Sequence, residues 1–140
     1  GNSFRGSAIY SSGQTTLNNV TFINNTATSG GAINSHGQTT INNVTFINNN
    51  AYNGGAISHY DYIINCNNSQ FIDNYAEWGS SLYSDDATIN ICNTFFTSQI
   101  SNKYGQIQAF SSTVNIDTGD FLNISATYSP AIYFEDEREI

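Results

Sequence analysis

The sequence contains no methionine, one proline (Pro130), one tryptophan (Trp78) and only three basic residues, Arg5, Lys103 and Arg138, among 140. So little positive charge, within a formal net charge of -8, leaves no footprint for a phosphate backbone and argues against a nucleic-acid partner. Acidic residues are missing from the first part of the chain, where none precedes Asp61. No apolar run approaches the roughly 20 residues of a membrane-crossing helix, so no direct membrane span is expected. No basic, apolar leader opens the chain, and Gly1 stands in mid-pattern, as in a fragment of a longer protein. Helical periodicity is absent as well: apolar residues alternate with polar ones in short bursts bounded by Asn, Gly and Ser.

What the chain does have is one stretch written twice. Residues 13–33 read GQTTLNNVTFINNTATSGGAI and residues 37–57 read GQTTINNVTFINNNAYNGGAI, an offset of 37 minus 13, or 24. The same aromatic returns at Phe22, Phe46, Phe71, Phe96 and Phe121, and an aliphatic at Ile9, Ile33, Ile57, Leu82, Ile107 and Ile132, always after 24 or 25 residues. A fixed period of this length predicts a solenoid, in which each repeat is one coil that cannot bury its apolar face alone. The 21 Asn residues suit its turns and amide columns.

Each copy reads as three short strands. The first, Thr15–Asn18, points Thr15 and Leu17 inward; the second, residues 20–23, points Val20 and Phe22 inward; the third, residues 32–35, points Ile33 inward and Asn34 outward. The predicted fold class is therefore all-β, a parallel β-helix of 24–25 residues per coil forming a single domain over residues 1–140, with nearly six coils because 140 divided by about 24.5 is about 5.7. Stacking places like on like: five Phe in one column, Asn25, Asn49 and Asn74 in a second, and Asn19, Asn43, Asn68 and Asn93 in another that reads as inward. Ala27, Ala51 and Ala76 keep a corner small, and Gly30, Gly54 and Gly79 supply positive φ. Cys66 falls in the inward column of Leu17 and Ile41 and Cys92 one place later, so the two thiols should face apart and stay free.

The motifs Gly30-Gly31-Ala32-Ile33 and Gly54-Gly55-Ala56-Ile57, with Phe22-Ile23-Asn24-Asn25, Phe46-Ile47-Asn48-Asn49 and Phe71-Ile72-Asp73-Asn74, resemble the GGA[ILV] and FxxN motifs of the chlamydial polymorphic outer membrane proteins. The wording NNVTFINN is also similar to repeats of adhesin-like surface proteins of methanogenic archaea. The likeness covers residues 6–84, within which Gly79-Ser80-Ser81-Leu82 is a degraded copy; beyond them Gln99 and Ile124 break FxxN. This resemblance implies a right-handed parallel β-helix, an extracellular cell-surface location and an adhesive role.

Catalytic constellations are weak. A polysaccharide-cleaving β-helix needs paired carboxylates across a glycosidic bond, or carboxylates holding a cation beside a base. Asp85 and Asp86 are neighbours, and Asp61 shares the register of Asp86, but loop acids of this kind are ordinarily solvated turn residues. His36 and His59 differ by 23 and miss one column, so no zinc site forms. No metal or cofactor is expected. Five Asn-x-Ser/Thr triplets begin at Asn19, Asn24, Asn43, Asn67 and Asn123; of these, Asn19 and Asn43 read as inward and Asn24 and Asn67 as outward.

One corner of the coil stands out. Between the FxxN asparagine and the inward aliphatic the chain reads TATSGGA, NAYNGGA, YAEWGSS, ISNKYGQ and SATYSPA, which gathers Tyr52, Tyr75, Trp78, Tyr104 and Tyr128. Amphipathic rings on an exposed corner stack on sugar faces or on apolar partner surfaces. The function that the resemblance implies is an adhesin-like module binding surface glycans or proteins of other cells, with this corner as its candidate contact. A structural filament or coat component, partnered by adjacent coils of a longer chain or by the next subunit, is the alternative. A polysaccharide-degrading enzyme is third.

Overall fold

The structure, a computed structural model, describes residues 2–97, 100–122 and 131–135. The described residues contain no helix and form a parallel β-solenoid of about five turns. Each coil carries four short strands where the sequence reading has three. Sheet I stacks Asn2–Arg5, Thr26–Ser29, Asn50–Asn53, Tyr75–Trp78 and Ile100–Tyr104. Sheet II stacks Ile9–Ser11, Ile33–Ser35, Ile57–Tyr60, Leu82–Asp85, Ile107–Phe110 and Ile132–Glu135. Sheet III runs through Thr15–Asn18, Thr39–Asn42, Ile63–Asn67, Thr88–Cys92 and Thr113–Ile116, and sheet IV through Thr21–Ile23, Thr45–Ile47, Gln70–Ile72, Thr94–Thr97 and Gly119–Leu122. The strand missing from the sequence reading is that of sheet I. Its only inward apolar residue is an alanine, Ala27, Ala51 or Ala76, so it shows no alternation and looks like a corner.

Most corners are turned by a residue with a left-handed backbone, usually Asn, Asp or Gly. Between sheets III and IV these are Asn19, Asn43, Asn68 and Asn93 (φ 57, 53, 50 and 47°); between IV and I, Asn24, Asn48 and Asp73 (φ 57, 52 and 51°); between I and II, Gly30, Gly54 and Gly79 (φ 63, 61 and 64°). The corner between sheets II and III explains the step from 24 to 25. Ile33 and Thr39 are six residues apart, but Ile57 and Ile64, which pair with them, are seven apart, and the added residue lets Asp61 (φ 73°) turn the chain. Asp86 (φ 51°) and Ser111 (φ 44°) repeat that turn. Asp61 and Asp86 are therefore turn residues, and no group of three metal-ligating side chains occurs among the described residues.

The interior is a column of like residues. The Phe22, Phe46, Phe71, Phe96 and Phe121 rings stack with centroids 5.2, 4.7, 4.8 and 4.7 Å apart and planes within 11°. Each ring pair adds about 1 kcal/mol to what area burial alone supplies. Beside them run Ile33, Ile57, Leu82 and Ile107, and Ile41, Cys66 and Ile91. Cys66 is free and buried, which pushes its thiol pKa up to about 12; Cys92 is free and exposed on the opposite face.

The buried amide ladder is that of Asn25, Asn49 and Asn74. Asn49 Oδ1 accepts from the Asn25 backbone N–H at 3.1 Å and from its Nδ2 at 2.9 Å, and Asn49 Nδ2 donates to Asn74 Oδ1 and to the Phe22 carbonyl, both at 3.0 Å. The Asn19 and Asn43 ladder, by contrast, is exposed, contrary to the inward reading, because a left-handed corner swings its side chain outside. Of the glycosylation triplets, Asn19 and Asn43 are consequently open to solvent, whereas Asn67 is half-buried in its ladder with Asn42.

Two expectations follow. At Gly54 the backbone is left-handed and a Cβ would overlap the Ile57 carbonyl oxygen, while at Gly13 a Cβ would meet open space. Gly54→Ala should cost about 3 kcal/mol, the strain of a non-glycine residue there compounded by overlap, and Gly13→Ala less than about 0.5 kcal/mol; urea midpoints of the two variants check this. His59 occupies the inward column of Ser35 and Ser84, is fully buried, and its ring nitrogens make no well-formed hydrogen bond, only a poorly aligned approach to the Tyr62 backbone that does not offset burial. Burial lowers its pKa from 6.5 to about 4. Between those values the unfolded chain binds a proton that the folded chain does not, so stability falls as pH drops through this window, by up to about 3 kcal/mol, and the loss levels off below pH 4. His59→Ser should lower stability at pH 7 yet lose less between pH 7 and 4; an unchanged pH slope in denaturant titrations would assign the dependence elsewhere.

Candidate functional site: a cleft between two sheets

Sheets I and II do not splay apart at the Gly30-Gly31 corner. Their outward faces meet across it, as the hydrogen bonds show: Asn34 Nδ2 of sheet II donates to Ser29 Oγ of sheet I at 3.0 Å, and the Tyr60 hydroxyl shares a hydrogen bond with the same Ser29 Oγ at 2.9 Å. One coil on, Ser58 Oγ donates to the Asn53 carbonyl at 2.8 Å. Asn34 does point outward, as alternation requires, yet it is only 1% exposed because this re-entrant angle covers it.

The angle opens into a cleft of about 360 Å³. Sheet I contributes Phe4, Arg5, Thr28, Ser29 and Asn53, and from the sheet II side come Asn34, His36 and Tyr60. These residues belong to three successive coils, so the cleft runs about 10 Å along the solenoid. Rings form much of its wall. His36 stacks on Tyr60 at 4.5 Å and 9°, and is bracketed on its other side by Tyr10 at 5.9 Å; Tyr60 in turn meets Tyr83 at 6.0 Å. Arg5 lies 5.8 Å over the Tyr10 ring and donates to its hydroxyl at 3.4 Å. Phe4, across the cleft, is 72% exposed. Amides, hydroxyls, rings and one guanidinium make up the lining, which includes no carboxylate among the described residues.

The five aromatic residues read from the sequence are not one corner column. Tyr75 pairs with Asn50, in the column that Thr26 begins at the start of the sheet I strand, Tyr52 lies in the column of Phe4 and Thr28, and Trp78 lies in that of Arg5, Ser29 and Asn53. The unrecognised fourth strand is the reason: on a strand, ring positions separated by one residue are distinct columns. Tyr52 (51% exposed) and Trp78 therefore continue the columns that line the cleft, whereas Tyr75 (37% exposed) stands at the far end of the strand. The Tyr104 backbone pairs with Trp78, and Tyr128 lies outside the described residues.

Sequence reasoning missed Phe4, Arg5, Asn34, His36 and Tyr60. Counting back by 24 places Phe4 on Thr28 and Arg5 on Ser29, and His36 on Tyr60, so the columns were within reach of the period. The angle between the sheets was not.

Comparison with known proteins bears on the repeat itself. Residues 19–36 and 43–60 each match the model of the Chlamydia polymorphic membrane protein repeat, and their offset, 43 minus 19, is the 24-residue period. No curated protein and no solved structure matches the chain. The protein is a parallel β-solenoid, two of whose coils are similar to the Chlamydia polymorphic membrane protein repeat.

Proposed function

We propose that this solenoid is an extracellular adhesive module of a cell-surface protein, which binds glycans or proteins displayed by other cells. The surface location is drawn from the polymorphic membrane protein repeats. The observation that carries the adhesive part is the open, ring-walled cleft between sheets I and II, continued along the solenoid by Tyr52 and Trp78. Tyr52 is exposed, and Trp78 is half-buried with its Nε1 covered, so a phenol and the open part of an indole face give contact area on a rigid backbone at little conformational cost. Binding rather than catalysis fits a lining with no carboxylate to serve as acid, base or nucleophile on a glycosidic bond.

The contact surface comprises Tyr52, Trp78 and, at its margin, Tyr75, with Tyr104 next in register. Tyr52→Ala and Trp78→Ala together should reduce attachment of the protein to target cells or to a glycan array at least about tenfold, the loss expected on removing two ring anchors. Tyr75→Ala alone should leave most of the binding. Circular dichroism should be unchanged in both variants. Full binding by the double variant would remove this face from consideration.

A second reading, a structural filament or coat component, draws on the ends of the core column. Ile9, Leu17 and Val20 in the first coil, and Val114, Phe121 and Ile132 towards the other end, are only partly buried, unlike their counterparts between them. A further coil, from a longer chain or from the next subunit, would cover them and pair the open strand edges. Sedimentation at rising concentration tests the subunit version: concentration-dependent head-to-tail growth supports it, and a monomer at all concentrations refutes it.

A further inference from the structure

Resting on the adhesive reading, we propose that the cleft between sheets I and II receives a single carboxylated pyranose, with its carboxylate held by Arg5 and its ring lodged between Phe4 and the His36–Tyr60 pair. Size is the first argument. About 360 Å³ lies at the small end of ligand sites, room for one sugar unit rather than a peptide segment. Charge is the second. Arg5 is the only formally charged side chain before Asp61, so the first two coils carry a single positive charge in a protein of net charge -8. An anion entering here meets its one cation, and Asp61 and Asp85, the acids next to Tyr60 in sequence and in register, lie about two coils or more from Arg5.

Hydrogen bonding is the third argument. Asn34 Oδ1, on the cleft floor, is buried and accepts no hydrogen bond within the protein. Ser29 Oγ and the Tyr60 hydroxyl already converge beside it. A buried amide acceptor of this kind selects a ligand that brings hydroxyl donors, and a sugar does so where a bare anion does not. The exposed Phe4 ring supplies the flat apolar wall on which a pyranose face packs. A guanidinium at one end, an amide and hydroxyl floor, and aromatic walls are together complementary to a sugar acid, whether a uronic acid of a polysaccharide or a terminal sialic acid.

The test is an NMR titration of the 140-residue protein with methyl β-glucuronide, methyl β-glucoside, sialyllactose and inorganic phosphate, alongside cell attachment by the same preparation. The glucuronide should bind at least tenfold more tightly than the glucoside, with shifts at Asn34, Ser29 and Asn53. Arg5→Gln should abolish that preference, and Tyr60→Ala should weaken both sugars while Tyr60→Phe keeps the ring wall and retains the glucuronide. Tighter binding of sialyllactose than of glucuronide would assign the acid to a terminal sialic acid, and the reverse to a uronic acid; both support the proposal. Equal binding of glucuronide and glucoside, or glucuronide binding undiminished in Arg5→Gln, overturns it. So does phosphate binding at Arg5 without sugar binding. Attachment that persists while no sugar acid binds refutes this site alone, whereas sugar-acid binding without attachment refutes the adhesive reading and leaves the site standing.

Discussion

Coil-on-coil register is the constraint on which everything else in this protein depends. A coil of 24 or 25 residues must close so that each strand lies in parallel on the same strand of the next coil, and the backbone hydrogen bonds run between coils even at the corners. Asn19 N–H reaches the Asn42 carbonyl at 3.0 Å, Asn24 the Ile47 carbonyl at 3.0 Å, and Gly54 the Trp78 carbonyl at 2.8 Å. Little of the chain can therefore satisfy its backbone locally, and each coil needs the next one as partner. Once register is fixed, like must stack on like. An asparagine whose amide would be costly to bury alone finds its donor and acceptor in the asparagine above and the one below.

That constraint determines what is legible from sequence. Much of what repeats was readable: the period, the Phe column, the buried Asn25–Asn49–Asn74 ladder and the left-handed glycines, and the register that these set also opposed the two cysteines. Sheet I was not, because its buried residues are Ala27, Ala51 and Ala76, which leave no large apolar residue to mark a strand. The exposed Asn19 and Asn43 ladder was misplaced for a related reason. An amide column reads the same whether the corner faces the core or the solvent; φ decides, and φ is invisible in an asparagine that tolerates both signs.

The interior is also less uniform than its aliphatic columns imply. In sheet II the second inward column runs Ser35, His59, Ser84, Ala109, and the fit differs from coil to coil. Ser35 Oγ meets Thr39 Oγ1 at 2.7 Å and is anchored to the Gly37 carbonyl, whereas His59 fills the same place with a ring that gains volume and loses its hydrogen bonds. The longer corner at Asp61 begins in that coil. A larger inward side chain and a residue added to the turn next to it occur together, as expected where the chain must pass around a bulkier group without breaking register on either side.

Sites arise where the repeat departs from itself. The inward columns are nearly invariant because every coil meets the same neighbours. Outward columns are free to vary, and the two that form the cleft do: one runs Arg5, Ser29, Asn53, Trp78, and the other His36, Tyr60, Asp85, Phe110. A strictly repeated outward face would present the same shallow surface at each coil and could recognise only a partner with the same spacing. Here a guanidinium, an imidazole and two phenols fall within three coils, and the acids begin only where the rings of the cleft end. The register that makes the fold repetitive also holds these dissimilar side chains at fixed spacing along a stiff axis. The backbone then needs no ordering to present them, and a small cleft of this kind can discriminate by chemistry rather than by area.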